Sequence, residues 1–419
     1  MMQDRTEQQL ALEGGVPVRS MPFAPWPVYA PDEIDAVSQV LASGKVNYWT
    51  GRLCTRFETE YAQSIGVEHA ISLANGTLAL ELALYALGIG PGDEVITTSR
   101  TFIASASCIV ARGARPVVAD VDPVSQNLSA KTVRALITPR TRAIIAVHLA
   151  GWPCDMDALL ELAREHHLYV IEDCAQAHGA SYKGRPVGSF GDAAAFSFCQ
   201  DKIISTGGEG GMLLTNNHDL WAKAWAYKDH GKSHAAVFQR EHPPGFRWLH
   251  ESFGSNWRMT EMQAAIGCAQ LAKLDAWHAV RNRHASVLHA GMANIPGLRL
   301  PSPPVEIGHA YYRYYAFLEE DCLKSGWDQT RIIAAINAEG VPCFVGSCGE
   351  IYRELAFTHA GLQPERPHPV ASRLARTSLA FLVHPTLCEQ DMLDTCAAVA
   401  KVMRVAARAP GFDGAGAAC

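Results

Sequence analysis

Between residues 30 and 230 the sequence switches repeatedly between short apolar runs and amphipathic runs of about ten residues, and that rhythm leaves few folds open. Pro31-Asp32-Glu33 opens a helix with apolar positions Ile34, Val37, Val40 and Leu41, stopped at Gly44. HAISLA reads as a strand leading through Asn75-Gly76-Thr77 into the helical LALELALYALG. EVITT precedes the helical TFIASASCIVARG, PVVADV precedes a helix near 131–136, AIIAV precedes MDALLELAREH, and LYVIEDC closes the series. Short buried strands alternating with helices are βαβ units, so the chain is expected to be α/β with a mainly parallel, helix-covered sheet. Ligands of such sheets lie beyond the carboxyl ends of the strands, which directs attention to the residues just after each one.

Past Asp192 the rhythm changes. Two closely spaced strands, AAAFSF and GMLLT, flank a glycine-rich loop, and a polar, aromatic, proline-bearing stretch covers 230–256. One long helix is expected from Thr260 to Ala290, and PSPPVEIGH reads as a linker. Beyond it, strand YYRYYAFL, helix QTRIIAAINAEG and a closing helix near 390–407 make a smaller α+β unit. The expected division is a large domain over 1–290 with an N-terminal extension, a small domain over 291–408 and a flexible tail over 409–419.

Charge narrows the function. Lys and Arg total 36 against 42 Asp and Glu, a formal charge of −6, so there is no basic domain for nucleic acid, although a small pocket for an anion stays open. MMQDRTEQQLALEGG has no apolar core and does not read as a signal peptide, and no apolar run is long enough to span a bilayer. No membrane partner and a cytoplasmic address are the expectation. The twelve cysteines are scattered without a Cys-x-x-Cys and sit mostly in apolar contexts, and Cys343 with Cys348 lacks a second pair. His230 and His234, four apart, lack a third ligand, so no metal is expected.

The strand ends carry the chemistry. Asn75-Gly76-Thr77 could offer free amides and a hydroxyl to a phosphate, although caps of this kind precede many helices. Asp173 ends an apolar strand, where a carboxylate demands a partner, whether an ion pair, a cap or a ligand. His178, close behind it, reads as a structural histidine. Lys202 lies between two short strands beside Ser197, Ser205, Thr206 and the run Gly207-Gly208-Glu209-Gly210-Gly211. That run has no Gly-Lys-Ser/Thr and is followed by a strand, so it is neither a nucleoside-triphosphate loop nor a dinucleotide fingerprint. A lysine amine, a buried acid and a phosphate-binding helix end together are what a pyridoxal phosphate Schiff base requires.

In ANGTLALELAL (74–84), GDEVITTSRTFIASA (92–106), VIEDCAQAHGASYKGRPVGSFGDAAAFSF (170–198), DKIISTGGEGGMLLTN (201–216) and SNWRMTEMQAAIGCAQLAKLD (255–275) the chain resembles the DegT/DnrJ/EryC1/StrS family of sugar aminotransferases. The resemblance runs over roughly 30–290 and is looser beyond. It implies a fold-type I aminotransferase: a three-layer large domain with a mainly parallel sheet, and a smaller α+β domain. It implies that Lys202 carries pyridoxal 5'-phosphate as a Schiff base and moves the proton, with pyridoxamine 5'-phosphate as the intermediate form. Asp173 would pair with the ring nitrogen, Gln176 lie beside the 3-oxygen, and Gly76, Thr77 and Ser197 bind the phosphate. Phe102 would stack on the ring, although an aromatic in a helical stripe more often packs in the core. Asn256 would reach the phosphate of a second subunit, making the enzyme a homodimer with shared sites; a turn or helix cap is its ordinary alternative. Some members of the family carry His at the lysine position and are dehydratases, so Lys202 favours transamination. The substrates implied are a keto-sugar, by default nucleotide-linked, and glutamate or glutamine as amino donor. A free keto-sugar acid or a keto-cyclitol is the alternative acceptor, and a non-catalytic sensor on the same fold is the alternative of another class. The loop 227–251 resembles the family's substrate-covering region but is longer and richer in His. Its cations Lys228, His230 and Arg247, with Arg258, are candidates for an anionic substrate, or else solvated loop charges. Arg100 and Cys199 have no role assigned by the pattern.

Overall fold

The computed structural model describes residues 9–408, so the tail expected to be flexible lies outside the described residues. Among the described residues fourteen strands run in chain order. They are β1 (His69–Leu73), β2 (Glu94–Thr98), β3 (Arg115–Ala119), β4 (Thr141–Val147), β5 (Tyr169–Asp173), β6 (Ser181–Tyr182), β7 (Arg185–Pro186), β8 (Ala193–Ser197) and β9 (Gly211–Thr215). Then follow β10 (Leu298–Arg299), β11 (Ile307–Gly308), β12 (Tyr314–Leu318), β13 (Cys343–Phe344) and β14 (Ser378–Phe381). Seven of them form one sheet in the order β1-β9-β8-β5-β4-β2-β3. All neighbours from β3 to β8 pair in parallel, and β9 alone runs against both its neighbours.

The expected βαβ units are present because the strands are apolar on both faces: β2, β8 and β9 are buried along their whole length. Helices between them are capped as the sequence dictates. Asn75 Oδ1 accepts from Leu78 N at 3.0 Å ahead of helix Gly76–Ala86, and Asp155 and Asn217 do the same for theirs. A second sheet, β10-β12-β14-β13, belongs to the C-terminal part. The linker-like PSPPVEIGH contributes a strand of its own, since β11 joins β6 and β7.

Three expectations change. The long helix is two, Glu261–Leu271 and Leu274–Met292, broken at Ala272-Lys273. The helix after β2 begins at Ala104, so Thr101 and Phe102 precede it. The strand expected from Tyr311 begins at Tyr314, because Tyr311 turns with φ 47°.

The N-terminal extension reaches across the molecule. Leu10 is buried in a core shared with Leu288, Met292, Ile336, Val399 and Val402. Glu339 accepts from the amides of Ala11 and Val18 and pairs with Lys401 at 2.8 Å. Trp26 then lies edge-on to Trp277, stacks on His384 and donates its Nε1–H to the carbonyl of Lys202 at 2.9 Å.

Lys228 is wholly buried, which corrects its assignment to substrate. Its Nζ lies 3.7 Å from the centroid of the Tyr48 ring and 3.4 Å from Glu58, which also accepts from Ser72 and Tyr48. Burial opposes the ammonium, but Glu58 and Tyr48 outweigh it and its pKa is raised. Lys228→Met is expected to cost about 3–5 kcal/mol by stranding Glu58, measured as a lowered urea midpoint, and adding Glu58→Gln should restore part of that loss.

Candidate active site

At the carboxyl end of the parallel strands a cavity of about 970 Å³ opens between the large sheet and the loops of the C-terminal sheet. Gly76, Thr77, Phe102, Asp173, Gln176, Ser197 and Lys202 all line it. The topology brings them together: β5 and β8 pair in parallel with Asp173 opposite Ala195, two residues before Ser197 on the adjacent strand, and the helix after β1 starts beside Ser197.

Asp173 is 6% exposed. Its Oδ2 accepts from Ser105 Oγ at 2.8 Å and its Oδ1 from the amide of Ala175 at 3.2 Å. Burial raises its pKa, and the two hydrogen bonds, His148 and Lys202 only partly oppose that. Among the described residues no cation forms an ion pair with this carboxylate. Its neighbour Glu172 faces elsewhere and is saturated by His148 and the amides of Gly188, Phe190 and Gly191, so His148, Glu172 and Cys174 form a structural cluster.

Lys202 Nζ lies 3.0 and 3.2 Å from the two oxygens of Asp201 and 5.4 Å from the centroid of the Tyr312 ring, whose hydroxyl donates to the same Asp201. Asp201 is held below the ordinary aspartate range: burial opposes this, but Lys202 and Tyr312 outweigh it. The amides of Gly76 and Thr77 begin a helix and have no carbonyl one turn back. Glycine is required at 76, since a Cβ there would sit 2.7 Å from Ser197 Cβ. Gln176 Oε1 accepts from Ala150 N at 2.7 Å, which leaves its NH₂ to donate. Phe102 is 67% exposed and forms part of the cavity wall, not the core.

His178 is buried, donates Nε2–H to the Ser197 carbonyl at 2.9 Å and accepts from Tyr61 at 2.8 Å. It fixes the strand end that Ser197 occupies, as a structural histidine should.

The remaining candidates lie outside this cavity. Arg258 is committed to Asp229 at 2.6 Å, which corrects its reading as an open cation. Arg247 is exposed and donates to the carbonyl of Val237, and His230 is exposed with φ 59° on a turn. His234 belongs to an aromatic cluster with Trp221, Trp225 and Phe238. Asn256 is exposed and bridges to Asp229. Arg100 is fully buried, donating to Gln126 and Ser378, and so ties the segment after β2 to β14. The sequence reading missed Ser105, Asp201, Tyr312 and Arg313. Asp201 had a signal in its adjacency to Lys202; Tyr312 and Arg313 are distant in the chain and had none.

An amine able to bond an aldehyde, an acid wanting a protonated ring nitrogen, and free amides at a helix start fit the three reactive ends of pyridoxal phosphate. On this fold they define a fold-type I, pyridoxal-phosphate-dependent aminotransferase. The chain belongs to the DegT/DnrJ/EryC1/StrS aminotransferase family, whose sequence model matches residues 28–400. GDP-perosamine synthase of Caulobacter vibrioides is 45% identical over 296 residues, 70% of this chain and 76% of that protein. L-glutamine:2-deoxy-scyllo-inosose aminotransferase of Streptoalloteichus tenebrarius is 37% identical, covering 94% of this chain and 97% of its own. The crystal structure of an aminotransferase from Psychrobacter cryohalolentis is 54% identical with a TM-score of 0.89, over 90% of this chain and 98% of that one.

Burial pushes the pKa of His178 down to about 4, so the folded protein holds it neutral where the unfolded chain would protonate it. Its contribution is complete above the ordinary histidine pKa near 6.5 and is lost as pH falls towards 4. Thermal melts between pH 7 and 4 should show falling stability, less steeply in His178→Gln; parallel slopes would contradict the assignment.

Proposed function

We propose that this enzyme transfers an amino group from glutamate or glutamine to the ketone of a hexose carried on a nucleotide. The observation that carries the reading is Lys202 Nζ facing the same cavity as the buried, cation-poor Asp173. When bound, pyridoxal phosphate supplies the electron sink that tolerates negative charge at the carbon losing its proton. The chain does the rest. Asp173 would keep the ring nitrogen protonated, Gly76, Thr77 and Ser197 would hold the phosphate, and Gln176 would donate to the 3-oxygen. Phe102 would shield the ring from water. Lys202 would hold the cofactor aldehyde through its amine and, when that amine is free, would carry the proton to and from the substrate carbon. Asp201 and Tyr312 steady its Nζ in the released state. Exposed Asn256 reaches the phosphate of a second copy, so the site is completed in a dimer.

A keto-cyclitol acceptor is the second reading, favoured by the relative named for scyllo-inosose. No helix among the described residues is long and apolar enough to cross a membrane.

The purified protein should be yellow, and borohydride should fix the cofactor to the peptide containing Lys202. Lys202→Ala should fold, bind the cofactor without covalent trapping, and lose at least about a thousandfold in donor turnover, within the range expected for removing an activated nucleophile that is also the acid–base group. A Lys202→Ala enzyme that still transaminates would refute the role.

A further inference from the structure

Thr101 and Ser105 stand four residues apart, on either side of the helix start at Ala104, and both line the cavity that holds Lys202. They are 3% and 1% exposed, so their hydroxyls must find partners within the protein. Thr101 Oγ1 lies 3.0 Å from Ser105 Oγ, which lies 2.8 Å from Asp173 Oδ2. A serine hydroxyl has one hydrogen, and an ionised carboxylate only accepts. Ser105 therefore donates to Asp173 and accepts from Thr101. Two hydroxyls in series point one way, at the acid, and such chains strengthen their members where water is excluded.

The other groups around Asp173 do not duplicate this contact. Glu172 is saturated by His148 and three amides. Cys108, Cys154 and Cys174 are thiols that burial keeps protonated, and His148 and Lys202 act through their charge. Among the described residues Ser105 is the one side chain that hydrogen-bonds to this carboxylate. Burial pushes the Asp173 pKa up, and of the influences that pull it back the Ser105 hydroxyl stands first, ahead of the Ala175 amide. With Ser105 on Oδ2 and the Ala175 amide on Oδ1, each oxygen keeps a lone pair for a ligand.

We propose that Ser105 is a positioning residue of this enzyme: its hydroxyl, aimed by Thr101, holds the Asp173 carboxylate ionised and oriented towards a protonated ring nitrogen. The proton shared by acid and ring stays on the ring because the carboxylate already has a donor. Without that donor the carboxylate becomes the stronger base and draws the proton to itself. Solvent does not repair the loss, since deleting one oxygen from a closed site leaves less room than a water needs. The inference rests on the pyridoxal phosphate reading of the cavity.

The test loads the full chain with pyridoxal phosphate carrying nitrogen-15 in its ring, whose NMR shift separates pyridinium from neutral pyridine. Wild type should show pyridinium at neutral pH, and Ser105→Ala should move the signal towards neutral pyridine. Ser105→Thr, which returns a hydroxyl, should return the wild-type signal, and Thr101→Val should displace it in the same direction by less. In Ser105→Ala, kcat with the amino donor should fall at least about tenfold, the size of one hydrogen bond to a charged group. The KM for that donor should stay within about twofold, because the ring nitrogen serves the proton step and not donor binding. An unmoved signal in Ser105→Ala, or an equal displacement in Ser105→Thr, overturns the proposal. Should Ser105→Ala fail to fold, an unmoved signal in Thr101→Val overturns it instead. Wild type that takes up no cofactor and is left unlabelled by borohydride sinks the aminotransferase reading and this inference with it. A wild-type pyridinium signal that survives in Ser105→Ala sinks this inference alone.

Discussion

The site is organised around a carboxylate that the fold buries without a counter-charge. Asp173 ends a central strand, is shielded from water, and receives only a serine hydroxyl and one amide. An ionised group in that setting is costly, and its raised pKa is the measure of the cost. A fold keeps such a group when a ligand brings the missing positive charge. On the proposed reading a protonated ring nitrogen would do so, and its binding and the ionisation of Asp173 would then stabilise each other. In the proposed site the helix-start amides and Lys202 would hold the rest of the cofactor, and Glu172, locked by the amides of Gly188, Phe190 and Gly191, would not compete with Asp173 for it.

Much of this was legible in the sequence because it is local. Strand and helix alternation, the cap at Asn75 and the acid after YVIE are written within short windows. Pairing β5 with β8 then sets Asp173 opposite Ala195, two residues before Ser197 on the adjacent strand. What failed was also physical. The 260–290 pattern carries no proline or glycine at Ala272-Lys273, so its break was invisible. Lys228 reads from the sequence as a cation for an anionic substrate or else a solvated loop charge because its partners, Glu58 and Tyr48, lie some 170 residues away. Arg313 and Tyr312 were hidden inside an aromatic run that read as one strand, until the turn at Tyr311 set them apart from it.

The contact between Trp26 and the carbonyl of Lys202 joins distant parts of the chain at the lysine loop. Trp26 rests on Trp277, Arg281 and His384, and the segment before it is anchored by Glu339 and Lys401. The loop bearing the lysine is thus braced by a segment 176 residues before it, which itself rests on side chains of 277–401. A change that loosens that seat is felt as slack in the backbone that carries the amine.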